Sequence, residues 1–563
     1  MKKLLILLLI LAACKSETQS QKPHEVGPIG QSGMVASAHP LATKIGVEIL
    51  KSGGNAFDAA VAVQFALAVV YPHAGNIAGG GFAVFRQSDG TVGTLDFREK
   101  APLSASRDMY LDPAGNVIPD RSTLGHKAVG VPGSVAGMWA LHQKFGKKHW
   151  AELVDPAIGL AYYGHELTER CAVTLNANQE GLKKANTYTP WMVRETPWTA
   201  NEKIVQNELA ATLSMIRNDG RAGFYKGIVA DQLLKEMIRG KGYITQADLD
   251  QYEPVWREPL VFDYNGHRII SMPPPSSGGI ALAQLLYGAE KLGLANLPHN
   301  SPEYINLMAE IEKRVYADRA EHLGDPDFYQ VPLATLLSPE YLDKRFENIL
   351  PTKRTLSAQI SFGKIPPAES TETTHFSIVD KDGNAVAITT TLNGSMGSKV
   401  VVKGGGYLLN NEMDDFSVKP GEPNMFGLVG NEGNAIAPGK RMLSSMTPTI
   451  VEKDGQLKML VGAPGGATII TSVFQAIMNV LDHDMPMQAA VNATRVHHQW
   501  LPDVLQIEKN RLPDTTLKRL KRMGHTFKVS TAIGRMDCIL ILNDSTMEGG
   551  SDYLRGDNYA EGY

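Results

Sequence analysis

Asp380-Lys381-Asp382-Gly383-Asn384 constrains this chain more than any other stretch. It lies between two apolar runs, 376–379 and 385–388. A Gly in that position takes the left-handed conformation that closes a three-residue hairpin loop. With 381–383 as the loop, 380 faces 384 and 373 faces 391. Thr391 then stands beside Thr373, with Asn393 one step beyond. A two-residue loop would reverse that parity. Upstream, the consecutive Pro366-Pro367 forbid regular pairing and mark 364–370 as an exposed loop. Thr371-Glu372-Thr373-Thr374, a run of hydroxyls with one acid, therefore opens a buried hairpin.

The rest of the pattern alternates helix and strand. Asn55 caps a helix over 56–70 that is apolar almost all round and so central; a helix over 40–51 precedes it. Gly79-Gly80-Gly81 leads into strands over 82–85 and 92–97, the second ending at Asp96-Phe97-Arg98-Glu99. Helices then dominate to about 350, one opening near Ile280 after Pro273-Pro274-Pro275-Ser276-Ser277-Gly278-Gly279. Beyond 373 the strands fall at 374–379, 385–392, 400–402, 446–452, 458–461, 526–529 and 538–543. Helices follow at 468–481, 487–493 and 514–523. Helix–strand–strand–helix implies an α+β fold of four layers, αββα, with two mainly antiparallel sheets between helices. No GxGxxG or P-loop spacing is present, and no metal-ligand spacing, so no cofactor and no metal are expected. A net charge of −4 offers no basic field, so nucleic acid is not an expected partner.

Residues 1–13 pair a basic start with a ten-residue apolar run, a secretory signal too short to span a bilayer. It ends Leu11-Ala12-Ala13-Cys14, similar to a bacterial lipobox in which Cys14 is lipidated. Residues 14–31 would be a polar tether. The chain is then exported, periplasmic, and held to a bacterial membrane only by lipid; an ordinary secreted protein is the alternative. Cys171 and Cys538 either pair or remain two buried thiols.

Thr373 has a chemical use. A hydroxyl is a poor nucleophile without a base at hand. A Thr at a chain terminus carries its own, since an α-amine titrates at roughly 7.7–8.0. Freeing that amine requires the Glu372–Thr373 bond to break, and the Thr373 hydroxyl can itself attack that carbonyl. The residues alone permit this without selecting it, and a capping or strand-edge Thr is the plainer reading of them.

Thr373-Thr374-His375-Phe376-Ser377 with the hairpin turn closely resembles the processing site of the γ-glutamyltransferases (γ-glutamyltranspeptidases, glutathione hydrolases), which are N-terminal nucleophile hydrolases made as one precursor. The likeness extends through Gly53-Gly54-Asn55-Ala56-Phe57-Asp58, Gly79-Gly80-Gly81-Phe82, Asp96-Phe97-Arg98-Glu99, Pro274–Gly279, Asn410-Asn411-Glu412-Met413-Asp414-Asp415-Phe416, Leu443-Ser444-Ser445-Met446, Gly462-Ala463-Pro464-Gly465-Gly466 and His497-His498-Gln499-Trp500. It implies cleavage between Glu372 and Thr373 into a large subunit, 32–372, and a small one, 373–563, that stay together as a heterodimer. Thr373 would be the nucleophile and Thr391 its orienting partner. Arg98, Ser444 and Ser445 would hold the substrate α-carboxylate; Asn393, Glu412 and Asp415 would hold the α-ammonium. Gly465 and Gly466 would form the oxyanion hole. Phe426 falls in a lid where Tyr is common, and losing its hydroxyl would loosen closure. Glu412 stands where many bacterial members carry Gln. The implied substrates are glutathione and other small γ-glutamyl compounds, with water, an amino acid or a dipeptide as acceptor. A cephalosporin or glutaryl acylase, or a binding lipoprotein without catalysis, are the alternatives.

Overall fold

The hairpin lies at the centre of a seven-stranded sheet in this computed structural model, which describes residues 25–361, 373–542 and 546–563. Thr374–Val379 and Ala385–Thr391 pair antiparallel, with Thr374 opposite Thr390 and Val379 opposite Ala385. The Asp380 N–H donates to the Asn384 carbonyl at 3.0 Å and Gly383 has φ +83°. The loop is thus three residues long, and the parity is the one the turn chemistry predicts. Met34–Ser37 flanks the first hairpin strand and Gly80–Arg86 the second. Tyr559–Gly562 closes one edge; Val92–Asp96 and Val255–Arg257 close the other.

A second seven-stranded antiparallel sheet faces it. Its spatial order is Ile29–Gly30, Met547–Ser551, Asp537–Ile541, Gln456–Val461, Thr449–Lys453, His267–Ser271 and Leu260–Tyr264. The period of two assigns each side chain to a layer. Phe376, Ile378, Val386 and Ile388 pack outward with helices Pro40–Lys51 and Ala56–Val70. Val379, Ala385 and Ala387 point inward and meet Ile270, Ile450, Leu460 and Ile539 of the facing sheet. Behind that sheet, Val451, Met459 and Val461 pack on helices Gly278–Lys291, Pro302–His322 and Thr468–Leu481. The result is the αββα sandwich.

The central helix docks on the hairpin turn itself. Asn55 and Asp58 form a reciprocal capping box, and the Asp380 carboxylate accepts the Ala56 N–H at 3.0 Å. A carboxylate at a helix N-terminus is stabilised by the unmet N–H groups there. Every residue of Ala56–Val70 is buried.

Several sequence expectations are corrected. Residues 400–402 form no strand, only an isolated bridge from Val401 to Leu408. The stretch read as helical up to 350 contains Val255–Arg257, Leu260–Tyr264 and His267–Ser271, which serve both sheets. Strands at Met34–Ser37, Met547–Ser551 and Tyr559–Gly562 were not anticipated, because each is short and carries Gly or Ser in place of a β-branched run. The tether assigned to 14–31 ends sooner: Ile29–Gly30 pairs with Met547–Ser551, and the Gly27 N–H reaches the Glu548 carboxylate at 2.9 Å. Cys14 and the signal segment lie outside the described residues. Cys171 and Cys538 are both buried and free. Among the described residues no helix is long and apolar enough to cross a membrane.

Candidate active site

Inward-facing positions of the hairpin open into a narrow cavity of about 20 Å³ between the sheets. Thr373 lines it; so does Thr391, one pair beyond the Thr374–Thr390 match in the same register. Thr374 points the other way and is fully buried. The end of the second hairpin strand is pinned by Asn76, whose Nδ2 donates to the Thr391 carbonyl at 3.0 Å and to the Thr390 hydroxyl at 3.1 Å. Only a glycine fits at 79, since a Cβ there would lie 1.9 Å from the Thr391 carbonyl oxygen.

Arg98 reaches the cavity from the end of Val92–Asp96. The Asp96 carboxylate accepts the Arg98 N–H at 3.0 Å, and the Tyr252 hydroxyl donates to the Arg98 carbonyl at 2.8 Å. The guanidinium is 1 % exposed. It ion-pairs with Glu412 and, at 2.5 Å, with Asp415; Glu99 lies 3.7 Å away. Glu412 and Asp415 come from one 3₁₀ turn, Glu412–Asp415, set by the Asn410 side chain, which accepts the Glu412 N–H at 3.0 Å.

Three carboxylates converge on the buried Arg98 guanidinium, with Arg319 acting on Asp415 from farther off. Burial raises Glu412 well above the usual carboxylate range and raises Asp415 and Glu99 as well, while Arg98 opposes each shift. Burial by itself would lower the Arg98 pKa, but Glu412, Asp415 and Glu99 outweigh it and hold the guanidinium charged. Asp414 is raised by burial to about 6, against the Met425 N–H and the Ser122 hydroxyl that it accepts.

Ser444 and Ser445 enter from the facing sheet's side. The Pro274–Gly279 motif clamps them: the Ser277 N–H and hydroxyl both donate to the Ser444 carbonyl, at 2.7 and 2.6 Å. Arg319, fully buried in Pro302–His322, donates to the Ser277 hydroxyl at 2.9 Å and the Ser445 hydroxyl at 3.1 Å. Gly466 completes the wall, while Gly465 sits one residue behind it. Their φ values, +138° and +54°, favour glycine, and their carbonyls turn back to start Thr468–Leu481. The N–H groups therefore stand at a helix N-terminus, where donors and the macrodipole both favour a developing negative charge. Asn393, at φ +72°, lines the cavity and donates from Nδ2 to the Asn411 carbonyl at 3.0 Å.

Phe426 roofs the cavity with its ring against Gly466, where a Cβ would sit 2.7 Å from the ring. The loop bearing it is tied down on both sides: Asn424 Nδ2 donates to Asp415 at 2.9 Å, and the Met425 N–H donates to Asp414 at 2.8 Å.

The cavity thus joins the nominated Thr373, Thr391, Asn393, Arg98, Glu412, Asp415, Ser444, Ser445, Gly466 and Phe426. Glu372 lies outside the described residues. Asn76, Glu99, Asp414 and Arg319 were not nominated. Glu99 and Asp414 sit inside quoted motifs, but Arg319 carries no local signal, since a charged helix position reads as solvent-facing.

Comparisons with known proteins point to one family. The Gamma-glutamyltranspeptidase family model matches residues 42–562. A Pseudomonas sp. (strain A14) glutathione hydrolase proenzyme is 46% identical over 95% of this chain and 95% of its own. The glutathione hydrolase proenzyme of Escherichia coli (strain K12) is 45% identical over 95% of this chain and 92% of its own. Among solved structures, a cephalosporin acylase from Bacillus halodurans superposes with a TM-score of 0.81 at 26% identity, covering 97% of this chain and 98% of that one.

Proposed function

Since this chain belongs to the γ-glutamyltranspeptidase family, we infer that it is a self-processing γ-glutamyl hydrolase and transferase acting on glutathione and related amides. The observation that carries this is the meeting, in one cavity, of a strand-initial Thr, a glycine at a helix N-terminus and an arginine–carboxylate cluster.

The cluster fits an α-amino acid head group. Such a group carries one negative and one positive charge, so it takes over both halves of the existing ion pair. Its carboxylate meets the Arg98 fork and the Ser444 and Ser445 hydroxyls, and its ammonium meets Glu412, Asp415 and the Asn393 carbonyl oxygen. Each half of the ion pair keeps an opposite charge in the exchange.

The γ-carbonyl then lies at the Thr373 end. The Thr373 α-amine, freed by cleavage after Glu372, takes the hydroxyl proton as Oγ1 bonds to the carbonyl carbon. Thr391 orients the hydroxyl. The oxyanion is stabilised by the Gly465 and Gly466 N–H groups; losing one such donor costs about 3 kcal/mol of barrier. The C–N bond breaks, the amine leaves with the proton, and a γ-glutamyl ester remains on Thr373. Water, or the amine of an amino acid or dipeptide, attacks the ester in the second half-reaction.

The heterodimer of the family follows from the topology. Thr374–Val379 is held between Met34–Ser37 and Ala385–Thr391, and Thr449–Lys453 pairs with His267–Ser271. Strands from before and after Thr373 pair with each other within both sheets, so cutting the chain there leaves the pieces interleaved. Export and lipid attachment at Cys14 complete the proposal, supported by the apolar run and the Ala13-Cys14 junction in the sequence.

Two readouts test it. A γ-glutamyl-p-nitroanilide should be turned over in preference to the glutaryl amide that lacks only the α-amine; preference for the glutaryl amide would make the chain an acylase. The full-length product expressed in a bacterial host should partition into the detergent phase, and recovery wholly in the aqueous phase would remove the lipid anchor.

The raised carboxylates give a pH dependence. Glu412 and Asp415 must be ionised to bind ammonium, and burial raises both. Competitive inhibition by L-glutamate should therefore weaken as pH falls, beginning above the ordinary carboxylate range of about 4. An inhibition constant flat down to pH 4.5 would remove these two residues from the ammonium site.

A further inference from the structure

The His497-His498-Gln499-Trp500 stretch contributes no side chain to the cavity, yet it is buried throughout. Gln499 Nε2 donates to the Phe426 carbonyl at 3.1 Å. Gln499 Oε1 lies 3.1 Å from His497 Nε2, and His497 Nδ1 lies 2.8 Å from the Thr471 hydroxyl. Thr471 belongs to Thr468–Leu481, the helix that starts at the glycine pair, and Phe426 packs its ring on Gly466 of that pair. The contacts close a ring: glycine pair, helix, Thr471, His497, Gln499, Phe426, and back to Gly466.

One hydrogen arrangement satisfies the whole relay. The Thr471 hydroxyl donates to His497 Nδ1, His497 Nε2–H donates to Gln499 Oε1, and the Gln499 amide donates to the Phe426 carbonyl. In this arrangement the imidazole is neutral and the Thr471 hydroxyl turns from the Thr468 carbonyl, 3.2 Å away, to His497 Nδ1. Burial pushes the His497 pKa down to about 3, and the groups facing it are Thr471, Gln499, the edge-on Tyr316 ring at 5.5 Å and the neighbouring His498. The amide orientation of Gln499 is then set by its neighbours: flipped, it would face a donor with a donor and an acceptor with an acceptor.

Given the γ-glutamyl pocket inferred above, we propose that Gln499, oriented by His497 and Thr471, is the positioning residue that seats Phe426 over the oxyanion glycines. The roof lies over the end of the cavity where the γ-carbonyl sits. Its seating therefore governs how tightly the glutamyl group is held and how freely water reaches the ester. Release of the roof raises KM and shifts the second half-reaction toward hydrolysis, while the bond-making groups stay where they are.

The test is a double-mutant cycle on the processed enzyme with γ-glutamyl-p-nitroanilide and glycylglycine as acceptor. Gln499→Ala should raise KM about five- to tenfold, as loss of one neutral hydrogen bond predicts. It should change kcat by less than about threefold and lower the transfer-to-hydrolysis ratio. Gln499→Glu keeps the shape and accepts from His497 but cannot donate to Phe426 when ionised, so it should match the alanine variant or exceed it. Phe426→Ala should show the larger defect, and adding Gln499→Ala to it should change nothing more, because Gln499 acts through Phe426. Wild-type KM and product ratio in both Gln499 variants would overturn the proposal. So would additive effects in the double variant, or loss of self-cleavage in both single variants, which would make Gln499 merely structural. Absence of γ-glutamyl turnover in the wild-type enzyme would instead overturn the pocket's assignment.

Discussion

Thr373→Ala should leave the chain uncut and inactive. On a denaturing gel the wild-type protein gives two bands, the smaller beginning at Thr373 by N-terminal sequencing; the variant gives one full-length band. Turnover of γ-glutamyl-p-nitroanilide should fall at least about 10⁴-fold, the scale on which removing a nucleophile acts. The effect is this large because one side chain does two jobs. Its hydroxyl attacks the Glu372 carbonyl to release the amine, and the same hydroxyl, with that amine as base, attacks the substrate. Thr373→Ser keeps the oxygen and should cut and turn over more slowly. A fragment beginning at any other residue in the alanine variant would move the nucleophile elsewhere. The neighbouring hydroxyl is a poor replacement. Thr374 is fully buried on the helix-facing side, and its Oγ1 has no hydrogen-bond partner among the described residues.

That contrast shows how far the sequence alone reaches. The turn at 380–384 and the runs beside it are local signals, and they set the Thr373–Thr391 register correctly. They also establish that 373 and 374 face opposite ways. They do not say which face meets the cleft, because that depends on where the second sheet stacks. The family likeness supplied the choice, and the inward position of Val379 and Ala387 against Ile450 and Leu460 supplies the physical reason. The helix Pro302–His322 failed in the opposite sense. Glu310, Glu312, Lys313, Arg314, Asp318 and Arg319 look like a solvated face, yet all are buried. Glu310 pairs with Arg314, Asp318 pairs with Arg345, and Arg319 serves the two serines. Glu310 finds its partners one turn along the same helix, but those of Asp318 and Arg319 are distant in sequence, so periodicity had nothing to register. The lid anchor was illegible for the same reason: Gln499 and Phe426 are 73 residues apart.

Arg98→Gln should cost about 10²- to 10³-fold in kcat/KM on γ-glutamyl-p-nitroanilide, the range expected for removing one partner of a buried charge pair. The loss should be specific. The 4-aminobutanoyl amide keeps the amine and lacks the carboxylate that Arg98 would grip, so its slower turnover should change little. Equal losses on both substrates would take Arg98 out of the carboxylate site. Arg98→Lys should fall between, since it retains charge but not the planar fork. The fold should register the change too. Without the Arg98 guanidinium, Glu412 and Glu99 lose their ion-pair partner and Asp415 keeps only the more distant Arg319, and breaking such a pair costs about 3–5 kcal/mol. These are acids already raised by burial above their unfolded values, so in the folded state they bind protons first as pH falls. Protonation removes the unpaired charge, and linkage then favours folding at lower pH. The thermal midpoint of Arg98→Gln should lie well below wild type at pH 8, with the gap narrowing as pH drops toward 5. A gap that stays constant with pH would mean that the carboxylates do not depend on Arg98 for their charge.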